Sequence, residues 1–225
     1  MSIMACFLSL PAENRISIYH EVFGAGQTFF LFPGGGTQVH ALAPTKSRRW
    51  NAFLFTNRLI YSEAREIVYG ANRFVLVDVT HTQTGLLYNF LGGIGPANAS
   101  LITHLAISFP VMDRVEGQEG EFALRGDSLR ALELLRAQCT RLKTLELQVH
   151  RQNSAGLTEE KDCDSEFARV ALPRIDQQLK AISSLEQVVV EVYEKALMPS
   201  VENAMQALGW IVKLNLYTVL DPPVI

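Results

Sequence analysis

The sequence predicts an α+β protein: a helical N-terminal module carrying a β-hairpin insertion over residues 1–79, then helix–strand units forming a small parallel sheet over residues 80–225. Three observations carry this. Residues 7–23 repeat apolar positions at helical spacing, and a glycine-rich turn separates two strand-like runs between residues 27 and 43. Beyond residue 80, four short apolar alternations share one internal spacing. The composition, 48% hydrophobic and 19% charged over 225 residues, is that of a globular chain. A chain of this length can bury roughly 70% of its unfolded surface and needs no covalent staples.

The first helix is marked at both ends. Pro11 suits a first turn, where its missing N–H is an orphan anyway and its φ is already helical. Glu13 follows near the positive end of the helix dipole. Ile16, Tyr19, Val22 and Phe23 make one apolar stripe, and Gly24 and Gly26 end it. Gln27–Phe32 reads as a strand, Pro33–Gly36 as a turn and Thr37–Ala43 as a returning strand, closed by Pro44. A helical stretch covers Ser47–Tyr69, either as one helix or as two bent near Thr56-Asn57, with Gly70 as its cap. Arg73–Val79 alternates and is β-branched, which predicts a strand.

The second half repeats. Ile102, Leu105 and Ile107 share offsets of three and five with Leu142, Leu145 and Leu147. The same offsets recur at Leu185, Val188 and Val190, and at Ile211, Leu214 and Leu216. Helices are expected before each set, over Gly85–Leu91, Asp127–Gln138 (with Asp127 or Ser128 as N-cap), Asp164–Ile182 and Val201–Leu208. One strand and one helix cannot cover each other's apolar faces alone, so such units must stack. The first two units exceed the roughly 20–29 residues of a standard leucine-rich unit. Their excess lies in Val111–Gly126 and His150–Cys163, which read as surface loops. An ordinary α/β sheet is the competing topology.

Several function classes find no support. The formal net charge of −3 and pI near 6.0 create no pull toward nucleic acid or anionic lipid. Cys6, Cys139 and Cys163 are far apart and odd in number, as in a reducing compartment. No Lys or Arg precedes Arg15 and Pro11 interrupts the stretch early, which makes a poor signal peptide. The uncharged stretches contain Gly, Pro, Asn or Gln throughout and are not expected to span a membrane. The expectation is therefore a cytoplasmic and/or nuclear protein without nucleic-acid or membrane partners.

Phe29–Gly36 resembles a strand before an oxyanion hole, but the chain contains no G-x-S-x-G and no G-x-x-x-x-G-K-[ST]. His20, His40, His81, His104 and His150 stand in no metal-binding spacing, and Glu159-Glu160 with Asp162 and Asp164 reads as an acidic loop. No catalytic residue, metal or cofactor is expected.

Four motifs then fall in order: Leu10-Pro11-Ala12-Glu13-Asn14-Arg15-Ile16-Ser17-Ile18-Tyr19, Arg58-Leu59-Ile60-Tyr61-Ser62-Glu63-Ala64, Tyr69-Gly70-Ala71-Asn72-Arg73-Phe74, and Ile94-Gly95-Pro96-Ala97-Asn98. Together they resemble the F-box-like proteins abundant in filamentous fungi, over roughly the first half of the chain. The later units resemble the leucine-rich-repeat tails that many F-box proteins carry. The resemblance implies a non-catalytic adaptor that docks to a Skp-type adaptor and, through it, a cullin ubiquitin ligase. Under that implication Leu10, Pro11, Ile18, Tyr19 and Ile60 are the expected adaptor-binding anchors. Each such side chain, once buried, contributes roughly 1.5–3 kcal/mol. An interaction protein of the same fold without the ligase contact is the alternative.

Alternation along the later strands puts His104, Ser108, Thr144, Glu146, Gln148, Gln187, Glu191, Tyr193, Lys213, Asn215 and Tyr217 opposite the core anchors. Of these, His104, Glu146, Gln148, Glu191, Tyr193 and Tyr217 are the expected contacts to an unknown client protein.

Overall fold

The computed structural model describes residues 7–44, 50–77, 83–115, 117, 121–150, 153–154, 157–158, 167–193 and 196–215, with the side chains of Trp50, Asn51 and Phe53 excepted. A 3-10 turn at Phe7–Ser9 leads into α1 (Ala12–Phe23), and strands β1 (Thr28–Pro33) and β2 (Val39–Leu42) form the expected hairpin. The open choice over Ser47–Tyr69 resolves into two pieces, a 3-10 turn at Trp50–Phe55 and α2 (Arg58–Gly70). Asn57 separates them by capping: its Oδ1 accepts from the Leu59 N–H at 2.7 Å. There follow β3 (Arg73–Leu76), α3 (Gln83–Ile94), the short α4 (Pro96–Ala99) and β4 (His104–Ser108).

The rest of the chain continues helix by strand. The expected surface loop at Val111–Gly126 instead carries a small antiparallel hairpin, β5 (Met112–Arg114) with β6 (Phe122–Leu124). Phe122 explains it, because this ring is buried edge-on against Phe167 at 5.6 Å. Next come α5 (Gly126–Gln138), β7 (Thr144–Val149), a π-helical turn at Phe167–Ala171 leading into α6 (Leu172–Lys180), β8 (Gln187–Val192), α7 (Pro199–Ala207) and β9 (Ile211–Leu214). Asp164, the expected start of the third repeat helix, lies outside the described residues, as do Leu216 and Tyr217.

Seven strands form one sheet in the order β2-β1-β3-β4-β7-β8-β9, antiparallel only at the β1–β2 hairpin. From β3 to β9 the parallel strands lie side by side in chain order, with only the β5–β6 hairpin set apart. Leu105, Ile107, Leu145, Leu147, Val190 and Val192 share one core with Leu87 and Leu91 of α3, Leu132 and Leu135 of α5, Ile175 of α6 and Met205 of α7. These helices therefore all cover one face of the sheet. The expected division at residues 79 and 80 does not divide it, since β3 pairs with β1 on one side and β4 on the other. Phe74 shows why: its ring meets Phe29, Tyr69 and Phe90, residues from both sides of that line.

The last unit departs from the expected register. Val190 pairs with Val212 and Val192 with Leu214, which puts Ile211 on the opposite face, 39% exposed, and leaves Leu214 on the core face at the sheet's edge, 48% exposed. Trp210 takes the interior place, buried with its indole N–H donating to Asp176 Oδ1 at 3.1 Å. No helix among the described residues is long and apolar enough to cross a membrane.

Candidate protein-binding surfaces

α1 is held by one row of side chains. Arg15, Tyr19 and Phe23 follow at four-residue steps, so they lie on one stripe, and all three are buried. Tyr19 and Phe23 pack in a small core with Leu54, Ile60, Ala64, Ile67 and Val68. The Arg15 guanidinium clamps Glu63 of α2 through both carboxylate oxygens, Nε to Oε2 at 2.9 Å and Nη2 to Oε1 at 2.5 Å. It also donates to the Leu10 carbonyl. The Tyr19 hydroxyl donates to the same Glu63 Oε2 at 2.9 Å. The Arg15 hydrogen bond holds the Glu63 carboxyl below its ordinary range, while burial, aided by the Glu63 carboxylate, pushes the Tyr19 phenol up to about 12.

This arrangement sorts the five expected anchors. Tyr19 is fully buried and Ile60 is 5% exposed, so both are corrected from partner contacts to interior residues that join α1 to α2. Leu10 is half-buried, Pro11 is exposed and Ile18 is 36% exposed. Val22, four residues past Ile18, is similarly exposed and was not among the expected anchors. Pro11, Ile18 and Val22 stand at i, i+7 and i+11, which places them in one row on a flank of the buried stripe. The signal for Val22 was present in the helical period but could not say which side of the stripe would be sealed.

The second surface is the sheet face opposite the helices. Parallel register aligns His104 with Thr144 and Gln187, and Ser108 with Gln148, Glu191 and Lys213. The structure joins five of the expected client contacts through Arg73 of β3, which was not among them. Arg73 Nε lies 3.0 and 2.9 Å from the two Glu146 oxygens, and its Nη2 lies 3.3 Å from Glu191 Oε2. His104 Nε2 meets Glu146 Oε1 at 2.6 Å. The Tyr193 hydroxyl donates to Glu191 Oε2 at 2.5 Å and accepts from Gln148 Nε2 at 3.2 Å. His150 stacks on the Tyr193 ring at 4.8 Å.

Charge on this face is set by the pairing. Burial works against the Glu146 carboxylate, yet hydrogen bonds from His104 and Arg73 and the Arg73 charge outweigh it, so its pKa lies below the usual carboxylate range. Burial likewise works against the Arg73 cation, and Glu146 and Glu191 more than restore it. Burial, then the Glu191 hydrogen bond, pushes the Tyr193 phenol up to about 12. Glu146 therefore stays ionised and Tyr193 stays protonated at neutral pH. Glu146, Gln148 and Glu191 are nearly sealed and are corrected from client contacts to residues that hold the face together, whereas the Arg73 and His104 side chains are 23% and 32% exposed. Gln187 and Lys213 on the same face are exposed.

Tyr217 of the expected set lies outside the described residues. Among the described residues, no group of three His, Cys, Asp or Glu could hold a metal ion. Comparison of the chain with protein-family models, with curated proteins and with solved structures gives no match.

Proposed function

We propose that the chain is a non-catalytic adaptor: α1 docks a Skp-type adaptor of a cullin ubiquitin ligase, and the polar sheet face selects a client protein. The observation that carries this reading is the apolar row Pro11, Ile18 and Val22, left at the surface of a helix whose other side is clamped to α2. A helix fixed in this way presents its row without losing further backbone freedom on binding, which lowers the cost of association. The sheet face supplies a second, independent surface of mixed charge with aromatic content, the composition of a protein contact.

Binding of the purified chain to a Skp-type adaptor, measured by calorimetry, tests the reading. Wild type is expected to bind, and Ile18→Asp and Val22→Asp are each expected to weaken binding at least tenfold, because an unpaired carboxylate replaces a buried apolar contact. Both positions are exposed in the free chain, so these variants should unfold within a few degrees of wild type. Absence of wild-type binding would refute the ligase reading. The buried state of Tyr19 and Ile60 favours, as the second reading, an interaction protein of this fold without that contact.

A further inference from the structure

Among the described residues, β2 and β9 are the two edges of the seven-stranded sheet, and no strand pairs with the outer side of either. Such an edge is a row of main-chain donors and acceptors open to another strand, which proteins commonly guard with charge, proline or a bulge. β9 carries such a guard in the exposed Lys213. β2 carries none. Residues 27–45 contain no Asp, Glu, Lys or Arg, and no proline lies within β2. Its register with β1 runs unbroken from Phe30 opposite Leu42 to Pro33 opposite Val39, so there is no bulge. His40, Ala41 and Leu42 are exposed, Leu42 at 51%.

Hydrogen bonding fixes which main-chain groups point outward. Gly34 N–H donates to the Gln38 carbonyl at 2.7 Å, so the hydrogen-bonded pairs that follow are Phe32–His40 and Phe30–Leu42. On the other side of β1 the Leu31 carbonyl accepts from the N–H of Val77, just past β3, as this alternation requires. The N–H and C=O of His40 and Leu42 therefore face β1, and those of Val39 and Ala41 face away from the sheet. Phe55, at 77% the most exposed large apolar side chain among the described residues, lines one cavity with Val39, His40 and Ala41 and so stands beside this edge.

We infer that β2 pairs antiparallel with β2 of a second copy of the chain about a two-fold axis at Ala41, forming a dimer with one continuous sheet. Ala41 then faces its own copy and exchanges two main-chain hydrogen bonds with it, while His40 faces Leu42 of the second copy. A two-fold axis sets the central side chain against itself, a place that tolerates neither bulk nor charge, and Ala41 brings neither. The same operation at β9 would gather two Lys213 ammonium groups on one short strand pair, like charge near like charge. Four residues make a short ladder, so burial of Leu42 and Phe55 supplies the rest of the association. The contact lies apart from the α1 row.

Sedimentation of the full chain between about 1 and 100 µM is expected to show a monomer–dimer equilibrium that stops at the dimer, because a two-fold contact occupies its own surface. Ala41→Lys and Ala41→Glu each set like charges on the axis and should weaken dimerisation at least tenfold, and mixing the two variants should restore it. Ala41 is exposed, so both variants should unfold within a few degrees of wild type. Ile211→Lys, at the opposite edge, should leave dimerisation unchanged. Amide exchange reads the same contact without any substitution: the Ala41 N–H should exchange more slowly as concentration rises. The inference is overturned by a wild-type chain that stays monomeric at about 100 µM or assembles past the dimer, by a dimer that survives Ala41→Lys, by mixed variants that fail to reassociate, or by Ala41 exchange independent of concentration.

Discussion

Replacing Arg73 by Met tests whether the polar sheet face is one coupled unit. The substitution keeps an apolar stem of similar length but removes the cation between two carboxylates, Glu146 at 5% and Glu191 at 7% exposure. Taking away one partner of a fully buried ion pair costs about 3–5 kcal/mol. Two features reduce that here: the Arg73 side chain is 23% exposed, and His104 still meets Glu146 at 2.6 Å. The expected loss at pH 7 is therefore about 2–3 kcal/mol, a fall in Tm of roughly 5–10 °C for a chain of this size. The exposed pair Arg141–Glu66, 3.6 Å apart with side chains 61% and 64% exposed, is the control. Arg141→Met should cost less than about 0.5 kcal/mol.

The pH dependence separates this cause from lost packing. In wild type the folded-state pKa of Glu146 is depressed, so its contribution is present above the unfolded value near 4.3 and fades as pH falls through the lower folded value. Without Arg73 the same buried carboxyl favours its neutral form, so the variant is penalised most at neutral pH and recovers on acidification. The gap between the two proteins must narrow from pH 7 toward pH 4 in urea unfolding curves. A gap below about 0.5 kcal/mol at pH 7, or one that stays constant with pH, would refute the reasoning.

Three further outcomes are expected. Tyr19→Ala removes a fully buried ring that meets Phe7 at 5.7 Å and Phe23 at 6.2 Å and hydrogen-bonds Glu63, so urea unfolding should show a loss of about 3–5 kcal/mol, whereas Ile18→Ala should cost under about 1 kcal/mol. Gly95 precedes α4 at φ +79° and ψ 161°, a backbone region essentially reserved for glycine, and a Cβ there meets open space, so Gly95→Ala should cost about 1–3 kcal/mol from backbone strain alone in the same measurement. Cys139 is fully buried and burial pushes its thiol up to about 12, so mass spectrometry should find it unalkylated by iodoacetamide at pH 8 in native protein and alkylated in urea.

Local elements were readable because their causes are local. Pro11, the helical spacing of Tyr19 and Phe23, the glycine turn after Pro33 and the Asn57 break all act within a few residues, whereas Ile16 and Val22 of the expected stripe lie at the surface and Arg15 takes the buried place. The closing motif Tyr69–Phe74 was visible as a pattern, but its work is tertiary. Asn72 ties the end of α2 to β1, donating to the Ile67 and Val68 carbonyls and accepting from the Gln27 N–H at 2.9 Å, while Phe74 enters the shared core. The Val111–Gly126 segment was misread because a single buried ring, Phe122, carries little weight among glycines and charges.

Alternation along each strand determined, from sequence alone, that His104, Glu146, Gln148 and Glu191 would share one face, since a period of two leaves no other choice once the core side is known. Offsets within the last strand could not determine its register, which Trp210 settled by filling the interior and turning Ile211 outward. Likewise a helical stripe names apolar residues without naming their neighbours, so only packing against α2 decided that Tyr19 is sealed while Ile18 stays at the surface. The reach of Arg73 across to Glu146 and Glu191, and the hydrogen bond from Asn98 to the Tyr61 hydroxyl, depend on contacts between distant segments. A one-dimensional pattern specifies which face a side chain takes; which partner meets it there is a property of the folded whole.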